Sequence, residues 1–312
     1  MTLLQLEYII AVDTYKSFIL AAEKSFITQP TLSMQIQKLE ASLNIKIFDR
    51  SKQPIVPTKI GKQVIEQARI ILAESKKIHE IISNTKENIE GELRIGVIPT
   101  VAPYLLPKVL GAFMKKYPKL HLQIWEFTTN KIISQLKNGL LDCGILATPV
   151  NEETLIEYPL YYESFVAYLN NGSPLESKKT VTANDLLSEN LWLLNEGHCM
   201  RNQVLNLCQR RNIINPERSL EYNTGSIETL KRMVDMNGGV TILPQLSILE
   251  FSEDELEKVR YFKAPEPSRE ISLLTNKHFL KEKVVNILKK EIIESIPTHL
   301  RDKKKKDLLQ IE

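Results

Sequence analysis

At 312 residues the chain is longer than one hydrophobic core usually serves, so two or three domains are expected. Hydrophobic content of 43% and charged content of 25% fit a globular protein, and a net charge of +3 is too small to argue for a nucleic-acid partner by itself. Three cysteines argue against a secreted disulfide framework, the start MTLLQLEYIIAV lacks the basic region of a signal peptide, and no apolar run reaches the roughly 18 residues of a membrane span, so a cytoplasmic protein with no membrane partner is expected.

Leu3, Leu6, Ile9 and Ile10 recur at helical spacing. Ser17 is placed to cap a second short helix over 18–25, and FIT (26–28) is a turn. A third helix follows, with Thr28 as its cap and Pro30 in its first turn, where a missing N–H costs nothing. Its expected buried stripe is Leu32, Ile36, Leu39 and Leu43, which leaves Gln29, Thr31, Ser33, Gln35, Gln37 and Lys38 outside. This pattern fits a helix-turn-helix whose amide and hydroxyl groups can bond base edges in a major groove. Gln29, Pro30, Thr31, Ser33 and Gln35 are the candidates for that contact. The next stretch, KIFDRSKQPIVPTKIGK (46–62), holds five Lys or Arg against one acid. Pro54 and Pro57 break the helix around a short β-wing, and Arg50 and Lys52 are candidates for phosphate or minor-groove contacts. A solvated helical hairpin with a basic loop fits the same residues. Over 58–88 the pattern is helical, and Val64, Ala68, Ile71, Ser75, Ile78 and Ile82 make a seam that wants a partner helix. The chain's own body could supply it, but a reader of two half-sites needs a second copy, so a dimer contact is expected.

The style changes at Glu90-Gly91. Strand patterns at 91–99, 121–127 and 141–147 alternate with helical ones at 102–116 and 130–138. A second set runs through YYESFVAYL (161–169), NLWLLNEG (190–197), SLEYNT (219–224), a helix over 226–236, GGVTILP (238–244) and EISLLTNK (270–277), and a helix over 280–294 closes it. Two lobes of parallel α/β structure are expected, followed by a solvated charged tail over 301–312. Ligands of such sheets bind at the C-terminal ends of strands, which places Thr100 and Thr128–Thr129 beside one cleft. Phosphate-loop, nucleophile-elbow and zinc-hydrolase motifs are absent, and the histidines lack metal-ligand spacing. No enzyme activity, metal or cofactor is expected.

Cys199 and Cys208 lie nine positions apart in GHCMRNQVLNLC (197–208), which reads as a helix start. In a helix their Cα atoms would stand roughly 13 Å apart. A disulfide needs less than about 7 Å, so pairing would require the helix to come apart. Cys199 would sit at a helix N-terminus beside His198 and Arg201, a setting that favours the reactive thiolate. On spacing alone the same cysteines read first as small buried hydrophobes, which is what most free cysteines are. Cys143, in the apolar run LLDCGILA, reads as a core strand residue.

The whole plan resembles a LysR-type transcriptional regulator, on the signature AAEKSFITQPTLSMQIQKLEASLNIKIFDRS (21–51) and the wing and helix behind it. IPT (98–100), FTT (127–129), LLNEGHCMRNQVLNLC (193–208) and PEPSREISLL (265–274) resemble the hydrogen-peroxide-responsive members of that family. The resemblance implies a winged helix-turn-helix over 1–58, a linker helix over 59–89 and a two-lobed α/β regulatory domain like that of periplasmic binding proteins over 90–300. It implies that Cys199 is the peroxidatic thiol and Cys208 the resolving one. Thr100, Thr129 and His198 would line a peroxide pocket, Arg269 would stabilise the thiolate, and Gln203 falls in the same motif. The implied partners are double-stranded DNA, hydrogen peroxide, further copies of the chain as a dimer of dimers, and RNA polymerase. An alternative is a regulator of the same family that senses a small organic ligand in the cleft, its cysteines incidental. The sequence departs from better-known members in the wing (Ser51 to Pro54) and around Arg218, where no pocket role is assigned.

Overall fold

A computed structural model of the chain describes residues 1–83, 89–207, 224–277, 279, 281–302 and 306–309. The chain divides into two compact units, Met1–Asn88 with His278–Lys281, and the remainder.

The first unit comprises α1 (Leu3–Tyr15), α2 (Phe18–Lys24), α3 (Gln29–Leu43), β1 (Phe48–Asp49), β2 (Val56–Pro57) and α4 (Lys59–Ser83). The first three helices start on hydroxyl caps. Thr2 accepts from the Gln5 N–H while the Gln5 side chain accepts in return, Ser17 accepts from Leu20, and Thr28 accepts from Thr31. Leu6, Ile9, Val12, Leu32, Ile36, Leu39, Ile47 and Phe48 form one core with Ile65 and Ala68 of α4. The α3 stripe differs from expectation at its end. Leu43 is exposed, and Glu40 is buried instead. The chain turns back at Asn44 (φ 52°), and the Glu40 carboxylate accepts from the N–H groups of Ile47 (2.7 Å) and Phe48 (3.3 Å). β1 and β2 pair antiparallel as the wing. Gly61 lets α4 begin hard against it, since a Cβ there would stand 2.0 Å from the Ile47 carbonyl oxygen.

The linker seam splits. Ala68 is buried, and Val64 and Ile71 are half-buried against this unit's own core, whereas Ile78 is 61% exposed. The expected partner contact is therefore not a property of the whole seam.

The second unit comprises β3 (Gly91–Val97), α5 (Ala102–Lys116), β4 (Leu120–Glu126), α6 (Thr129–Lys137), β5 (Cys143–Thr148), β6 (Leu155–Leu169), β7 (Thr180–Val181), β8 (Leu191–Trp192), α7 (Cys199–Leu207), α8 (Ile227–Asn237), β9 (Val240–Pro244), α9 (Glu253–Glu257), β10 (Val259–Phe262), β11 (Glu266–Asn276), α10 (Glu282–Ser295) and β12 (Lys306–Leu308). The strand order is β4-β3-β5-β11-β6-β10-β7, with β12 on β11, β9 on β6 and β8 on β9. The sheets are mixed rather than parallel. β3 is parallel to β4 and β5, but β6 and β11 run antiparallel to each other and to other neighbours. The cause is that these two long strands serve both lobes, one passing across and the other returning. β5 is buried throughout, and Cys143 lies within it as a core residue. The C-terminal stretch also departs from the expected solvated tail. Leu308 belongs to β12, and Leu309 packs against the core of the second lobe.

Candidate functional site

Gly197 adopts the left-handed region (φ 89°) and ends the preceding loop, so that α7 opens on Cys199. Cys199, Met200, Gln203 and Val204 turn inward, and Met200 and Val204 belong to the core of the second lobe. Cys199 is buried, as is His198 before it. The imidazole lies against Gly225, where a Cβ would stand 2.8 Å from His198 Nε2. His198 lines a cleft of about 540 Å³ between the lobes, together with Pro99, Tyr104, Phe127, Thr128, Lys131 and Glu228. Burial holds its pKa below the ordinary histidine value. Burial thus disfavours the imidazolium form of His198 as a positive neighbour for the thiol. Arg201 donates to the Leu194 carbonyl oxygen at 2.8 Å and so pins the loop that leads into α7.

Thr129 begins α6 beside the cleft, and its Oγ1 is buried without a hydrogen-bond partner among the described residues. Gln203 is 0% exposed, and its Nε2 donates to the Leu309 carbonyl oxygen at 3.2 Å while its Oε1 has no partner among the described residues. Asn195 Oδ1 is also buried and has no partner among the described residues. Each such atom costs about 1–3 kcal/mol if nothing meets it.

Thr100 and Arg269 are brought together. Arg269 donates from Nη1 to Thr100 Oγ1 at 2.9 Å and from Nη2 to the Thr100 carbonyl oxygen at 3.1 Å. Its Nε donates to Glu163 Oε1 at 3.0 Å, and both charged side chains are 0% exposed. The other Glu163 oxygen accepts from the Leu246 N–H at 3.0 Å. Sequence reasoning missed Glu163, Tyr104 and Leu309. A lone carboxylate inside the apolar strand YYESFVAYL was the available signal for the first, because a buried charge requires a partner.

Cys208 and Arg218 lie outside the described residues.

On the first unit Gln29, Pro30 and Thr31 are exposed at the start of α3, and Lys52 is exposed on the wing. Ser33 and Gln35 are partly covered. Ser33 accepts from Arg50 at 3.1 Å, and Gln35 accepts from Gln5 at 3.3 Å. Arg50 also lies 3.4 Å from Glu40 and 4.8 Å from the centre of the Phe18 ring, so the wing arginine supports the fold of this unit.

Residues 3–62 match the bacterial regulatory helix-turn-helix protein model of the lysR family, and residues 86–293 match the LysR substrate binding domain. The chain belongs to the LysR family of transcriptional regulators. The family is one of regulators and not of enzymes. Among the relatives of this LysR-family chain is the hydrogen peroxide-inducible genes activator of Haemophilus influenzae, 36% identical over 88% of this chain and 90% of the relative. The DNA-binding dual regulator OxyR of Escherichia coli is 35% identical over 88% of this chain and 89% of that protein. A full-length OxyR of Pseudomonas aeruginosa, with a cysteine replaced by aspartate, superposes with a TM-score of 0.76 at 30% identity and covers 94% of each chain. No described helix is long and apolar enough to cross a membrane.

Proposed function

We propose that this chain is a cytoplasmic, peroxide-responsive transcription regulator that binds double-stranded DNA as a homotetramer, a dimer of dimers, and engages RNA polymerase. Gln29, Pro30, Thr31, Ser33 and Gln35 meet the major groove, with Lys52 and Arg50 at the backbone or minor groove. The observation that carries the peroxide reading is the placement of Cys199. It opens α7 next to cleft-lining His198 and shares a helix face with Gln203, whose buried oxygen lacks a partner among the described residues. The names of the relatives point the same way.

In the proposed chemistry the Cys199 thiolate attacks one oxygen of hydrogen peroxide. The O–O bond breaks, hydroxide leaves, and Cys199 becomes a sulfenic acid. The Cys208 thiol then displaces the sulfenic oxygen as water, forming the disulfide. Thr100, Thr129, His198, Gln203 and Arg269 form or support the pocket, Arg269 as the positive neighbour of the thiolate. Because nine residues of helix would set the two cysteines beyond disulfide reach, the second step would require local unfolding, and the bond would then hold a second conformation. The size of the cleft favours a second reading, in which a small organic molecule is sensed there and the cysteines are incidental.

Operator binding by the purified protein separates the two. Peroxide is expected to change the wild-type footprint, to leave Cys199→Ser unchanged, and to give an impaired response in Cys208→Ser. Cys143→Ser is expected to behave as wild type. A wild-type response in Cys199→Ser would remove the peroxide reading.

A further inference from the structure

β12 adds to β11 in parallel, with Lys306, Asp307 and Leu308 opposite Glu266, Pro267 and Ser268. Leu309 then reaches in two directions. Its N–H donates to the Ser268 carbonyl oxygen at 2.8 Å, and its carbonyl oxygen accepts from Gln203 Nε2 at 3.2 Å. Its side chain packs against the core that includes Met200 and Val204 of α7. The stretch 306–309 thereby ties the middle of the cysteine helix to the strand that carries Arg269. The tie is also chemically selective. Only the amide NH2 of Gln203 can donate to a carbonyl, so the Leu309 contact decides which way the amide sits and leaves Oε1 as an acceptor with no partner among the described residues.

We propose that residues 306–309 are a strap that holds α7 helical in the thiol form, with Leu309 as a positioning residue acting through Gln203. The strap's influence on the switch rests on the Cys199–Cys208 reading above, but its anchoring of α7 does not. Gln203 lies one turn beyond Cys199 and faces the same way. Unwinding α7 far enough to bring Cys208 to Cys199 displaces Gln203 and breaks its bond to Leu309. The strap therefore opposes ring closure, in which the Cys208 thiol expels the sulfenic oxygen as water. The first step leaves α7 folded, so the strap does not slow it.

The test uses the full chain with Leu309→Pro, which removes the donated N–H, and Leu309→Val, which keeps both backbone groups and an apolar side chain. A third protein ending at residue 305 removes the strap altogether. Hydrogen exchange over 199–207 in the reduced protein is expected to speed up about tenfold in Leu309→Pro and in the shortened chain, the loss of one or two net hydrogen bonds. Leu309→Val is expected to restore wild-type protection. With peroxide, sulfenic acid formation at Cys199 should stay within about twofold of wild type in all variants, and disulfide formation should accelerate in the two strap-less ones by the same factor as exchange. Wild-type exchange over 199–207 in both strap-less proteins overturns the proposal. Faster exchange in a protein whose wild type never forms the disulfide upholds the anchoring and sinks the redox reading instead.

Discussion

Gln29, Lys52 and Arg50 were grouped by sequence as DNA contacts, yet their surroundings predict three different mutant behaviours. Gln29 is exposed at the start of α3, so Gln29→Ala is expected to lose discrimination at one base pair, about 1–3 kcal/mol, with no loss of stability. Lys52 is exposed on the wing, and Lys52→Ala should weaken every sequence alike and lower the salt slope by about one. Arg50 holds Ser33, Glu40 and the Phe18 ring, so Arg50→Ala is expected to cost about 1–2 kcal/mol of stability as well. Binding isotherms at several salt concentrations, alongside thermal melts, check all three. If Arg50→Ala melts like wild type, its contacts are incidental. His198 predicts a pH dependence. Its folded pKa is depressed by burial, so above the unfolded value near 6.5 it is neutral in both states and contributes no pH dependence. As pH falls below that value the unfolded chain takes up the proton first, and stability drops until the folded pKa is passed. His198→Gln is expected to flatten this acid limb in urea titrations between pH 7.5 and 5.5, and an equally steep limb in the variant would assign the dependence elsewhere.

At the scale of elements, α4 makes the sharpest distinction. Ile71 packs into its own unit's core, so Ile71→Asp is expected to destabilise that unit by burying an unpaired charge. Ile78 is exposed in the single chain, so Ile78→Asp should leave the fold intact and lower the oligomeric order. Light scattering that shows an unchanged assembly for a folded Ile78→Asp protein would place the contact between copies elsewhere. Much of this architecture was legible in the sequence. The caps Ser17 and Thr28, the turn at 26–28 and the start of the cysteine helix all rest on short-range chemistry, and the structure has them where the residues put them. Three features were not legible, each for a long-range reason. Leu43 gave way to Glu40 because the buried carboxylate answers backbone N–H groups seven and eight residues later. The antiparallel course of β6 and β11 follows from two strands distant in sequence sharing both lobes, which no local period encodes. The charge run Lys303–Lys306 made the C-terminus read as solvent-facing, while the two leucines after it supply a strand residue and a core contact. Thr100 and Arg269 were both named from the sequence and lie in contact, whereas the Glu163 counter-charge on Arg269 was passed over, although a lone carboxylate in an apolar strand signalled it.

Across the whole second unit, Arg269 is one of the places where the lobes meet, beside the Tyr104–Glu228 and Lys108–Glu250 contacts. It holds Thr100, which leads into α5 of the first lobe, and Glu163 on crossing strand β6, and Glu163 in turn accepts from Leu246, which follows β9 in the second. Both members of the pair are 0% exposed, and losing one partner of such a pair costs about 3–5 kcal/mol because the other charge is left buried and uncompensated. Arg269→Ala therefore has two expected effects, slower oxidation of Cys199 and a loosened lobe junction, and oxidation rates alone would confuse them. The double variant Arg269→Met with Glu163→Gln removes both charges at similar volume and separates the effects. Urea denaturation is expected to show each single change destabilising by about 3–5 kcal/mol and the double change by clearly less than their sum. If the double variant recovers stability while Cys199 remains slow to oxidise, the arginine's charge itself acts on the thiol. If oxidation recovers together with stability, Arg269 serves the switch through the junction alone. A double variant as unstable as the sum of the singles would mean that Arg269 and Glu163 do not act as one clamp between the lobes.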